Sequence, residues 1–137
     1  MLEEAGLEST IDWYIPTVER QTGLHISYEK SGITFALSTS ASIHVYRVLQ
    51  EALNNAARHS GARDAKVRLQ YEADRLELDV EDRGKGLPNG NTRSGIGLVA
   101  MRERAELLGG TIEFTRPPEG GTRVSLIVPR ERTESNA

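Results

Sequence analysis

The 137-residue chain contains no cysteine. A disulfide framework, a thiolate nucleophile and a cysteine-ligated zinc are therefore excluded, and a reducing compartment suits the sequence. It also lacks an excess of positive charge. Its 17 Lys and Arg stand against 20 Asp and Glu, a net charge of -3. Nucleic-acid binders usually show a basic face, so no nucleic-acid partner is expected. Long hydrophobic runs are missing too. The longest, such as Val124 to Val128, are strand-sized, whereas a membrane helix needs about 20 apolar residues. No basic and then apolar stretch opens the chain, so no secretory signal is read there. Aromatic residues are only 5%, and Trp13 and Tyr14 are expected in the core.

What remains is an ordinary globular composition, 37% hydrophobic and 27% charged. That suits one domain with a sizeable core. Residues 1–130 are read as this domain and residues 131–137 as a polar C-terminal tail. A first helix is expected from about Ser9 to Gln21, with Pro16 kinking it or delaying its start. A hairpin is expected next, His25 to Lys30 returning through Ile33 to Leu37. Val45, Leu49, Ala52 and Ala56 repeat at helical spacing between Ala41 and His59. Two alternating strands, Ala65 to Tyr71 and Leu76 to Glu81, form a hairpin. Residues 83–95, rich in glycine, read as a long mobile loop. A third helix follows from about Ile96 to Leu108, then strands at Thr111 to Thr115 and Thr122 to Val128. The order predicts an α+β two-layer sandwich, a mixed and mostly antiparallel sheet covered by three helices.

Three spaced elements carry the chemistry. In Glu51-Ala-Leu-Asn54-Asn55-Ala-Ala-Arg58-His59, Glu51 and Asn55 share one helix face. Magnesium takes oxygen ligands, usually few from protein, and an Asn side-chain oxygen suits it. Glu51 is placed to order a metal-bound water or take a proton. Arg58 and His59 lie within reach of phosphate oxygens. In Asp82-Arg-Gly84-Lys-Gly86, a carboxylate at a strand end can accept from an exocyclic amine, and two glycines allow close approach of a flat ring. In Gly95-Ile-Gly97-Leu98, a glycine turn opens a helix whose free amides suit phosphate oxygens. The Thr122 hydroxyl is placed to reach the pocket through a water near Asp82. Each element also has a plain structural reading: a solvated helix face, a strand-to-turn signal and a helix cap. The Arg102-Glu103-Arg104 run reads as a solvated face, and His25 and His44 as structural or surface residues. Neither a dinucleotide fingerprint nor a Gly-Lys-Ser/Thr phosphate loop is present.

As a set, the elements resemble the catalytic ATP-binding domain of two-component sensor histidine kinases. These belong to the gyrase, chaperone, histidine kinase and MutL-type ATPase superfamily. The likeness is nearest to the subfamily signalling to helix-turn-helix response regulators. Tyr46 to Ser60 is similar to that subfamily's N box, Asp82 to Leu87 to its G1 box, and Gly95 to Gly110 to its G2 box with the helix after it. Arg83 departs from the Asn more common there. The resemblance implies a Bergerat-type ATP-binding fold that takes ATP and Mg2+. Asn55 would be the metal ligand, Asp82 the adenine reader, Gly84 and Gly86 the flanks of the base, and Gly95 and Gly97 the lid hinges. Glu51 would be the acid-base residue. It also implies a phosphoacceptor histidine on a preceding dimerisation domain, a response regulator downstream and a cytoplasmic location. With only Leu2 to Leu7 before the first helix, the chain is read as a monomeric fragment, inactive in autophosphorylation by itself. A hydrolase or clamp of the gyrase or MutL type, and an anti-sigma-factor-like kinase, are the alternatives.

Overall fold

The structure is a computed structural model that describes residues 2–58, 61–84 and 97–130. The elements run α1 (Leu2–Thr22), β1 (His25–Gly32), α2 (Thr39–Arg58), β2 (Asp64–Tyr71), β3 (Arg75–Asp82), α3 (Leu98–Leu107), β4 (Thr111–Thr115) and β5 (Thr122–Pro129). The strands form one sheet in the order β1-β2-β3-β5-β4. Only the β1–β2 pair is parallel; the other three pairs are antiparallel. The expected two-layer α+β sandwich is therefore found.

The period-two patterns of the strands become rows across the sheet. Val67, Val80 and Val124 are mutual neighbours; so are Leu69, Leu78 and Leu126, and then Tyr71, Leu76 and Val128. All nine are buried against the helices, with Ile11 of α1, Val45, Leu49 and Leu53 of α2, and Met101 of α3. Fully burying one such aliphatic side chain contributes roughly 1.5–3 kcal/mol. The alternate residues of the strands face away from the helices, and there Glu81 pairs with Arg123 and Glu77 with Arg75.

Two local expectations are corrected. Residues 33–38 form no strand. β1 pairs instead with β2 across the intervening α2, in the register His25↔Asp64 to Gly32↔Tyr71. The parallel partner lies far along the chain, which a turn signal at Ser31-Gly32 cannot reveal. The first helix begins at Leu2, and its backbone leaves helical values at Gly6 (φ 79°, ψ 176°), not at Pro16. Trp13 is 51% exposed, so it is not core. Its neighbour Tyr14 is half-buried and packs edge-on to Tyr46 of α2, centroids 5.2 Å apart. The expected tail at 131–137, and residues 85–95 of the loop expected at 83–95, lie outside the described residues.

Candidate functional site

The buried rows of the sheet do not stay apolar to the end. One row beyond Val67, Val80 and Val124, the same face carries Ala65, Asp82 and Thr122. Asp82 and Thr122 are direct cross-strand partners, and both are nine-tenths buried, at 6% and 7% exposure. A carboxylate and a hydroxyl thus replace two valines where the sheet meets the helix layer. Burying such groups is costly unless they are hydrogen-bonded or meet a ligand. Asp82 Oδ1 accepts the Gly84 backbone N–H at 2.9 Å, which holds the carboxyl as the strand turns away. This is the local side-chain-to-backbone turn that Asp favours. Gly121 closes against the Asp82 backbone carbonyl at a φ of 88°, and a Cβ there has no room.

The second wall is α2, which packs on β3. Its apolar residues face the sheet, and Asn55 shares that burial at 9% exposure. Among the described residues the Asn55 amide has no hydrogen-bond partner. An amide oxygen left open at this edge suits a group that coordinates to it. Glu51 lies one helical turn earlier, half-buried and also without a partner among the described residues. Arg58, a further turn on, is exposed. His59 lies outside the described residues, as do Gly86 and Gly95.

The start of α3 completes the arrangement. Gly97 caps it in the left-handed region, at φ 82°, and its carbonyl accepts the first helical hydrogen bond from Met101 N at 3.1 Å. No side chain caps this helix start. The Glu51 carboxyl packs against the Gly97 Cα so closely that a Cβ would overlap it. Two of the sequence elements, far apart in the chain, are thus in contact. The Leu98 side chain is buried in the core at 1% exposure, so only its backbone is available to a ligand.

Further residues tie the helices around Glu51 and were not legible in the sequence. Arg104 of α3 donates to His44 Nδ1 of α2 at 3.0 Å, across 60 residues. Burial, and then the Arg104 charge, holds the His44 imidazole below its usual value. Arg102 stacks over Phe114 at 4.9 Å. The Arg102-Glu103-Arg104 run is therefore partly structural rather than wholly solvated. The Tyr14 phenol is pushed up to about 12, first by burial and then by Tyr46 and the Glu51 carboxylate. No sequence motif marks these contacts, because each depends on how the helices pack.

Residues 40–132 match the family described as histidine kinase-, DNA gyrase B-, and HSP90-like ATPase. The oxygen sensor histidine kinase NreB of Staphylococcus carnosus is 34% identical over 130 residues, 93% of this chain and 38% of the relative. The histidine-protein kinase/phosphatase UhpB of Salmonella typhimurium is 37% identical over 129 residues, 94% of this chain and 22% of the relative. The chain thus spans well under half the length of these relatives. Among solved structures, the histidine kinase domain of the blue-light activated kinase EL346 of Erythrobacter litoralis aligns with a TM-score of 0.75 at 20% identity, covering 93% of this chain and 63% of that one. The ATP binding domain of PrrB from Mycobacterium tuberculosis aligns at 0.68 and 23% identity, covering 86% and 89%. At such identities the structural likeness concerns the fold.

Proposed function

Because the chain belongs to the histidine kinase-, DNA gyrase B- and HSP90-like ATPase family, we propose that it is the ATP-binding catalytic domain of a sensor histidine kinase. It transfers the ATP γ-phosphate to a histidine on a separate dimerisation segment, for relay to a response regulator. The names of three sequence relatives, an oxygen sensor histidine kinase, a signal transduction histidine-protein kinase/phosphatase and a nitrate/nitrite sensor protein, support this reading. The observation that carries it is the pocket edge itself. Asp82, Thr122 and Asn55 are buried polar groups where an apolar core would continue, and the Asn55 amide has no partner among the described residues.

In this reading Asp82 accepts the exocyclic amine of adenine, oriented by its bond to Gly84, and Thr122 supports the same edge through water. Gly84 and Gly86 flank the base. The Asn55 oxygen, without a partner among the described residues, fits a magnesium ligand. Magnesium usually takes few ligands from protein and the rest from water and phosphate. When bound, magnesium neutralises phosphate charge during transfer. The α3 amides from Gly97 and Leu98, with Gly95 and the side chains of Arg58 and His59, hold the phosphates. Glu51, beside the Gly97 turn, receives or orients the proton of the acceptor. By itself the chain is a monomer, and it acts in the cytoplasm as part of a soluble or membrane-bound sensor.

Calorimetry with ATP and GTP tests the reading directly. ATP should bind at roughly micromolar strength, about 8 kcal/mol, and GTP far more weakly. Equal affinity for the two would remove Asp82 from the adenine role.

A further inference from the structure

Beside Glu51, on the side away from Asn55, a cavity of about 270 Å³ opens between α2 and α3. Arg47, Gln50 and Glu51 line it from α2, and Ala100, Met101 and Arg104 from α3. Its two arginines are held by neutral partners. Arg47 donates to Gln50 Oε1 at 2.8 Å, and Arg104 to His44 Nδ1 at 3.0 Å. These bonds orient each guanidinium without neutralising it. Elsewhere Arg68, Arg75 and Arg123 all meet carboxylates. Among the described residues Arg47 and Arg104 meet none, although the Glu51 carboxylate lines the same cavity.

Two oriented cations that share a cavity with a single carboxylate, Glu51, and pair with no carboxylate among the described residues leave an excess of positive charge there and describe an anion receptor. The bound nucleotide is a poor candidate for it. Arg47 precedes Asn55 by eight residues, about 12 Å along a helix axis, so it lies well beyond the expected phosphate ligand. The cavity has Glu51, the proposed proton-handling residue, as part of its wall. It also continues an apolar shoulder: the half-exposed Trp13 neighbours Tyr14, which packs on Tyr46, next to Arg47.

We propose that this cavity receives a carboxylate from the polypeptide segment that presents the acceptor histidine, with Trp13, Tyr14 and Tyr46 as the apolar shoulder. The identity of the partner rests on the phosphotransfer reading above. The demand for a carboxylate rests on Arg47 and Arg104 alone. Held there, the acidic residue brings its neighbouring histidine to the Glu51 side of the nucleotide site.

Two synthetic helical peptides test this. Each carries one histidine, with glutamates one turn to either side in the first and glutamines in the second. The glutamate peptide should bind the chain about ten-fold more tightly at low salt, as two partly exposed ion pairs allow. Arg104→Glu should erase that preference, as should Arg47→Glu, whose exposed side chain leaves the fold intact. ATP affinity should stay within about two-fold in both variants, since neither side chain reaches the nucleotide. Equal binding of the two peptides would overturn the proposal, as would a preference that survives in both variants. A chain that shows the full pattern with peptides yet binds no ATP would fault the kinase reading and leave the docking site standing.

Discussion

Asp82 combines deep burial with a bond from the Gly84 amide. Asp82→Asn keeps an oxygen for that amide but loses the negative charge offered to adenine. ATP binding should weaken by roughly 1.5–3 kcal/mol, the worth of a hydrogen bond to a charged group, as read by calorimetry. An unchanged affinity would mean that the base is recognised elsewhere. Asn55→Ala removes an amide that has no protein partner among the described residues. Stability should therefore hold while magnesium-dependent phosphotransfer is lost, and full transfer by that variant would take Asn55 out of the metal shell. Gly97→Ala is a harsher change. It places a Cβ on the Glu51 carboxyl at a left-handed φ, which costs about 1–3 kcal/mol for a non-glycine residue. The start of α3 should open, with faster amide exchange at Met101.

At the scale of elements, α2 and α3 are joined by the His44–Arg104 bond, and this join should respond to pH. Burial and the Arg104 charge hold His44 below its ordinary value, so the folded chain takes up that proton less readily than the unfolded one. The stabilisation is complete above about pH 6.5 and is lost as pH falls through the depressed folded value. The melting temperature should drop on acidification, and less steeply in His44→Gln, which accepts the same bond without titrating. Identical pH profiles would assign the drop to other groups. The sequence announces neither partner of this bond, because an imidazole and a guanidinium 60 residues apart leave no local trace. The elements themselves were far easier to read. Val45, Leu49, Ala52 and Ala56 mark the buried stripe of α2, and the alternation in β2 and β3 gives their inner face directly. The hairpin expected at 25–37 failed because β1 finds its partner across a helix. Trp13 was misassigned because hydrophobicity alone does not tell which side of α1 meets α2. Asp82 and Asn55 stand out in the sequence as candidate site residues, and the structure places both as polar groups where the buried pattern calls for apolar side chains. The packing of Glu51 on Gly97 was not legible there.

For the whole molecule, one continuous core spans both layers, and its centre should be sensitive to volume. Leu78 is 1% exposed in the middle row of the sheet. Leu78→Ala should cost about 2–5 kcal/mol through lost burial and the cavity left behind, measured by urea unfolding. A loss below 1 kcal/mol would show that the sheet collapses around the gap. The crossing of α2 between β1 and β2 has a further consequence, in time rather than in space. β2 and β3 are joined by a short turn, with Tyr71 facing Leu76, whereas His25 must find Asp64 across 39 residues. Closing that loop costs entropy before any contact rewards it, so the β2–β3 ribbon should form early in refolding and β1 should join late. Substitutions in the ribbon should then slow refolding, and those in β1 should mainly hasten unfolding. Kinetic traces in which Ile26→Val slows refolding as much as Leu69→Ala does, per unit of lost stability, would reverse that order. In the expected order, the N-terminal helix and strand are the last part of the chain to be secured and the first to be released.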